Sequence, residues 1–178
     1  VLDGGQIDIE ARLVICNTKE LTVEDGGTIN LDKGEILIKP GAKLIVEGDV
    51  NINQYTKVIV EDGGEIIIRN GGTLANSGYI RLKDGAKMTY EEGAIFQMKD
   101  DNAELHFDGG DLFLEANALF TFEKGTSQSG QIRFSEWGEH IYTQGNNRIL
   151  LEGNGDDDPI VVIDEDADFW ANTEGGLD

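Results

Sequence analysis

Three residues in a chain poor in positive charge fall at comparable intervals, Arg81 in "YIRLKDG", His106 in "ELHFDGG" and Arg133 in "GQIRFSEW". Two guanidinium groups and an imidazole on one surface suit the carboxylates of an acidic polysaccharide, because a planar Arg can engage a carboxylate through two parallel N–H donors. Trp137, in "SEWGEH" beside His140 and Arg133, offers an aromatic face for a sugar ring, and Tyr55, Tyr79 and Trp170 are further candidates near corners. Each has a plainer reading. Arg81 and Arg133 can pair with acids such as Glu104 and Glu61, His106 can be a half-exposed strand residue, and Trp137 can plug a corner.

The second chemically suggestive stretch is the acidic "GNGDDDPIVVIDEDADF". Asp156, Asp157, Asp158, Asp164, Asp166 and Asp168, with Glu165, supply the hard oxygen ligands that Ca²⁺ takes, and Gly153 and Gly155 allow a loop to fold around an ion. No EF-hand or nonapeptide spacing is met, which favours solvated acidic corners over a Ca²⁺ site. No residue is assigned a catalytic role. A lyase of acidic polysaccharide needs clustered Asp for Ca²⁺ beside an Arg base, and a hydrolase needs clustered Asp near an exposed His, whereas the acids here are scattered along strands.

Composition bounds what can hold these residues in place. The 178 residues suffice for one domain with a sizeable core, and the 24 Gly, 2 Pro and short aliphatic runs describe brief strands with sharp turns: an all-β chain. Against 35 acids stand 14 Lys and Arg, a formal net charge of -21, which repels nucleic acid and anionic membranes. The lone Cys16 excludes an internal disulfide and any multi-cysteine metal site. No apolar run is long enough for a membrane helix. The chain opens at Val1 without Met, basic n-region or cleavage signal, and reads as one domain, 1–178, cut from a longer protein.

The positioning elements emerge from "VIVEDGGEIII" at 58–68, where two aliphatic runs flank an acid-Gly-Gly turn, as they nearly do again at "ILIKPGAKLIV" and "IRLKDGAKMTY". A hairpin is the first reading of any one such unit. The spacing across units argues against it. Three columns of alternating apolar residues run through the chain, one through Ile7/Ile9, Ile29/Leu31, Val50/Ile52, Leu74, Phe96/Met98, Phe120/Phe122, Ile149/Leu151 and Leu177. A second runs from Leu13/Ile15 through Ile36/Ile38, Val58/Val60, Ile80/Leu82, Leu105/Phe107 and Ile132/Phe134 to Val161/Ile163, and a third from Leu21/Val23 through Leu44/Val46, Ile66/Ile68, Met88/Tyr90, Leu112/Leu114 and Ile141 to Phe169. The commonest offset within a column is 22 residues, as from Ile36 to Val58 and from Val58 to Ile80.

Hairpins do not require one offset to hold in three columns, and a coil of three short strands does. The sequence therefore predicts a right-handed parallel β-helix of about seven coils, roughly 34 Å long at the parallel strand spacing. "VIVEDGGEIII" becomes a corner between two faces, with Gly63 and Gly64 relieving the turn, and Pro40-Gly41 suits a type II turn. "KDDNAE", "EKGTSQSGQ" and "EGNGDDDP" swell the first-to-second corner of the later coils, the edge at which a binding function is expected.

Residues between the inward ones should face outward. The first face shows no regular Thr ladder, which argues against ice binding. On the second and third faces, Leu37, Ile45, Ile59 and Ile67 predict an exposed aliphatic patch, to be covered by a flanking domain or a second copy, unless β propensity alone placed them there. Unpaired strand edges at the two ends add an expectation of end-to-end stacking.

The units "LTVEDGGTINL" and "ILIKPGAKLIVEG" resemble the G-x-L-x-I-x-x-G-A-x-L repeats of secreted and surface right-handed parallel β-helix proteins of Bacteroidetes-type bacteria. The resemblance covers nearly the whole chain and is clearest over 21–93. It implies a secreted or cell-surface address and a non-catalytic stalk, adhesin or scaffold, and it transfers no active-site residue. The wider β-helix group includes pectate lyases and polygalacturonases, so the alternative is a segment that binds or cleaves acidic polysaccharide. For the acidic stretch, millimolar Ca²⁺ is expected to raise Tm by mass action if a site forms, with Asp164→Asn or Asp166→Asn reducing the gain. Identical melting curves with Ca²⁺ and with chelator would return those acids to the solvated account.

Overall fold

In the computed structural model, residues 1–99, 103–108 and 110–114 are described, together with the strands 119–122, 131–134, 140–143, 148–151, 160–163 and 170–173. The two aliphatic runs of 58–68 belong to strands Lys57–Val60 and Glu65–Ile68, which lie in different sheets. Neither pairs with the other. Val58 stands opposite Ile36 and Ile80, and Ile66 opposite Leu44 and Met88, all in parallel register. The chain is a parallel β-solenoid of three seven-stranded sheets, each coil giving one strand to each sheet. Fifteen strands, Gln6–Ile9 through Asp111–Leu114, build the first five coils.

Four-residue turns make the second-to-third corner. Ala42 N donates to Lys39 O at 2.9 Å, Gly64 N to Glu61 O at 2.7 Å and Ala86 N to Lys83 O at 2.9 Å. Gly41, Gly63 and Gly85 occupy the third position with φ of +70°, +68° and +69°, the type II geometry expected at Pro40-Gly41. Gly64 does not share this role: its φ is not positive, and Ala42 and Ala86 hold the same place in other coils. Corner backbones also bond along the axis, Gly41 N to Gly63 O at 3.0 Å and Gly63 N to Gly85 O at 3.1 Å.

Alternation within each strand sets the core. In Glu65–Ile68, Ile66 and Ile68 are fully buried while Glu65 and Ile67 are half-buried outward, and the pattern recurs in Lys57–Val60 and Lys87–Tyr90. A fully buried Val, Leu, Ile or Met contributes roughly 1.5–3 kcal/mol by transfer from water. Aromatic residues enter the core where the fourth coil passes into the fifth, with the Tyr90 and Phe96 rings edge to face at 5.6 Å. The Tyr90 hydroxyl donates to Met88 Sδ at 3.4 Å, and burial pushes the phenol pKa well above its ordinary value.

Asn76 is the inward residue that the apolar columns skip. It is fully buried next to Leu74, with Nδ2 donating to Glu104 O at 3.0 Å and Oδ1 accepting from Gly78 N at 3.0 Å, so a polar side chain joins two coils at a corner. Ile7 departs from its column in exposure. It registers with Ile29 but is 43 % exposed, because among the described strands Gln6–Ile9 is the edge of its sheet and pairs on one side only. In the seventh coil, Ala171 stands opposite Ile141, whereas Phe169 and Leu177 lie outside the described residues.

Neighbouring residues on opposite faces of one strand provide the test. Ile66→Asp would place an uncompensated carboxylate in the stacked core and is expected to remove several kcal/mol of stability, on the order of the cost of burying a lone charge after relaxation. Ile67→Asp, facing outward, is expected to cost far less. Equal shifts in Tm would overturn the inward assignment.

Candidate binding site at the first-to-second corner

The second sheet brings the sequence-distant cations into one row. Arg81 stands opposite His106, and His106 opposite Arg133. The two described side chains of the row, Arg81 and His106, find partners within the chain. Arg81 Nε donates to Asp108 Oδ2 at 2.8 Å, and Nη2 bonds the same oxygen. The expected acids were Glu104 and Glu61. Glu104 instead stands opposite Tyr79, and Glu61 is held by Lys39 Nζ at 3.0 Å, so Arg81 reaches diagonally to Asp108. His106 Nδ1 lies 2.8 Å from the Tyr79 hydroxyl, with the two rings edge to face at 6.1 Å. Arg81 and His106 thus each face a partner within the chain, Asp108 for the first and Tyr79 for the second. The Arg133 side chain, Trp137 and the six Asp residues from Asp156 to Asp168 lie outside what is described. Among the described residues, no group of three or more His, Cys, Asp or Glu is placed to hold a metal ion.

Further ion pairs explain why the aliphatic patch is not bare. On the second sheet, Arg12, Glu35 and Lys57 form one row, with Arg12 Nε 2.6 Å and Lys57 Nζ 3.3 Å from Glu35. On the third, Lys43 Nζ is 2.9 Å from Glu65, and Arg69 Nη1 is 2.6 Å from Glu47. These carboxylates hold Lys43 and Arg69 above their ordinary pKa, Glu65 acting chiefly on the first and Glu47 on the second. The apolar row runs between the charged rows, flanked on both sides by long side chains whose apolar stems favour lying against it. Leu37 and Ile45 are thus only 4 % and 5 % exposed, and Ile59 and Ile67 are half-buried. The patch read from the sequence as exposed is largely covered by the chain itself.

The first sheet uses amides for the same purpose. Asn30 Nδ2 donates to Asp8 Oδ1 at 2.8 Å, Gln6 Nε2 to the same oxygen at 2.7 Å, and Asn51 Nδ2 to Asn30 Oδ1 at 2.9 Å. Asn30 first and Gln6 second hold the Asp8 carboxyl below its ordinary pKa.

Variation collects at the first-to-second corner, as expected, but it begins earlier in the chain. Between strands Asp49–Ile52 and Lys57–Val60 the corner has four residues, Asn53-Gln54-Tyr55-Thr56, and one coil above it shrinks to Ser77-Gly78. The mismatch leaves an open recess of about 250 Å³ lined by Tyr55, Thr56, Lys57, Gly78 and Tyr79. Gly78 forms its floor without a side chain, and a Cβ there would meet Thr56 O at 2.5 Å. Tyr55 is 94 % exposed, with φ of +63°. It sits in the turn closed by Thr56 N to Asn53 O at 3.2 Å, at the position that Gly takes in most of the other described turns and Thr18, at φ of +60°, in the turn closed by Lys19 N to Cys16 O. The sequence offered Tyr55 and Tyr79 only as aromatic residues near corners; the shared recess depends on the difference in corner length.

The charged rows yield a test of their own. Lys43→Glu would set like charges against Glu20 and Glu65 and is expected to lower stability by on the order of 1 kcal/mol at low salt, since partly exposed pairs contribute about that or less. High salt should shrink the loss, and Lys43→Gln should cost less than the reversal. A loss independent of salt would mean that Lys43 acts through packing of its stem rather than its charge.

No protein-family model matches the chain, and no curated protein or solved structure matches it either.

Proposed function

We propose that the chain is a non-catalytic β-solenoid segment of a secreted or cell-surface protein, serving as a stalk, adhesin or scaffold. The observation that carries this reading is how the outward charge is used. Glu35, Glu47, Glu61, Glu65 and Asp108 each engage a cation one coil away, so the described surface is organised along the axis rather than gathered around a groove. A catalytic site needs convergent acids and bases. A stiff spacer needs each coil tied to the next. The extracellular address rests on the resemblance of the repeat units to those of bacterial surface proteins, and the partners it implies are flanking domains or further copies of the same chain.

Two measurements bear on the proposal. Incubated at near-stoichiometric amounts with polygalacturonate or alginate, the protein is expected to release neither reducing ends nor unsaturated uronate; product formation abolished by Arg81→Ala or His106→Ala would replace the scaffold reading with the polysaccharide-cleaving one. Pulled from its two ends, the chain is expected to resist extension until coils peel away in steps, as nearest-neighbour stacking dictates. Smooth extension at low force would rule out a load-bearing stalk.

A further inference from the structure

We propose that the recess between Tyr55 and Tyr79 is a binding site for a neutral polysaccharide, with Tyr55 as the platform on which a pyranose ring stacks. The placement of Tyr55 has no structural return. At φ of +63° a non-Gly residue is in a sparsely populated region, and a residue held there while 94 % exposed offsets that cost with almost no burial. Gly holds the same position in most of the other described turns and the small Thr18, at φ of +60°, in the turn closed by Lys19 N to Cys16 O; the third coil places a large aromatic side chain there.

The surroundings complete a site for a sugar rather than for a bare apolar group. One coil up, the two-residue corner at Gly78 opens space beside the Tyr55 ring, and Tyr79, fixed by its hydrogen bond to His106 Nδ1, forms the facing wall. Lys57, opposite Tyr79 in register, places an ammonium at the rim for ring hydroxyls. A pyranose presents an apolar C–H face to an aromatic ring and hydroxyls at its edge, which is the combination these groups accept.

Charge decides which polysaccharide. The cations nearest the recess are already neutralised, Lys57 by Glu35 at 3.3 Å and Arg81 by Asp108, and the chain carries a net charge of -21. A polyanion would meet paired cations inside a repulsive field. The ligand class is therefore neutral, in contrast to the acidic polysaccharide that the Arg81, His106 and Arg133 row suggested from sequence. The inference goes beyond the scaffold reading, since a stalk needs no ligand.

Affinity electrophoresis through gels containing hydroxyethylcellulose, a galactomannan or an arabinoxylan, with alginate and polygalacturonate as acidic counterparts, tests the proposal on the whole chain. Retardation is expected in at least one neutral gel and in neither acidic one. Tyr55→Ala is expected to weaken binding at least tenfold, the scale of one lost stacking contact. Tyr55→Gly should abolish retardation and raise Tm, because it removes the ring and relaxes the turn. That pairing of effects separates a ligand platform from a structural residue. Absence of retardation in every neutral gel, retention by the acidic polymers alone, or binding unchanged in Tyr55→Ala would each overturn the proposal, as would a Tm lowered by Tyr55→Gly.

Discussion

Every strand in this protein takes its hydrogen-bond partners from the coil before and the coil after, and the rest of the structure follows from that constraint. A backbone group without such a partner would lie unsatisfied against an apolar interior, at a cost comparable to a lost hydrogen bond. Each coil must therefore reproduce the path of its neighbour closely enough for about a dozen donors and acceptors to meet. Gly41, Gly63 and Gly85 recur because the turn between the second and third sheets must have the same shape at the same height, and their backbones bond to one another along the axis. Stacking also fixes side-chain direction. Once Ile36, Val58 and Ile80 stand in register, alternate residues of all three strands point inward together.

A repeating core brings a difficulty that the surface resolves. Ile, Val and Leu in the inward columns fit any coil almost equally well, so apolar packing alone does not distinguish a neighbouring coil from the next but one. The charged rows do. Glu20, Lys43, Glu65 and Lys87 alternate in sign from coil to coil, as do Arg12, Glu35 and Lys57. A pairing that skipped one coil would set Lys43 against Lys87 and Arg12 against Lys57. Each exposed pair contributes little by itself. Repeated along two sheets, the alternation penalises every skipped register at once, which is how like charges are used against wrong pairings.

What could be read from the sequence divides along the same line. The three columns gave the fold because an offset of 22 residues with alternating burial is a direct imprint of parallel stacking, and Leu44, Ile66 and Met88 occupy the places that offset requires. Asn76 escaped because its burial depends on Glu104 O and Gly78 N, groups supplied by the backbone, on which residue type is silent. Leu37 and Ile45 looked exposed because strand parity reports direction but not cover, and both are nearly buried in a row flanked by ion-paired side chains. The row of Arg81 and His106 was legible as a row, but its chemistry was not: Asp108 lies 27 residues from Arg81 and reaches it by a diagonal that linear spacing does not reveal.

Coil-to-coil bonding also explains why the corner between the first and second sheets is where chemistry can be added. Strands are bound by register on both sides, and the glycine turns of the other described corners are mostly of one length and one shape. The first-to-second corner escapes both demands. It has three residues at Asp32-Lys33-Gly34, four at Asn53-Gln54-Tyr55-Thr56 and two at Ser77-Gly78, and the strands on either side stay in register throughout. Length differences there are absorbed locally, through Thr56 Oγ1 donating to Asn53 O at 2.6 Å and Asn76 bridging to Gly78, without disturbing a ladder. The longer corner at Asn53–Thr56 below the shorter one at Ser77-Gly78 leaves the recess lined by Tyr55, Thr56, Lys57, Gly78 and Tyr79. The fold thus separates two kinds of position: those that must repeat for the rod to exist, and those on one edge where a residue as ill-suited to folding as Tyr55 can be held out to solvent without loosening the coils beneath it.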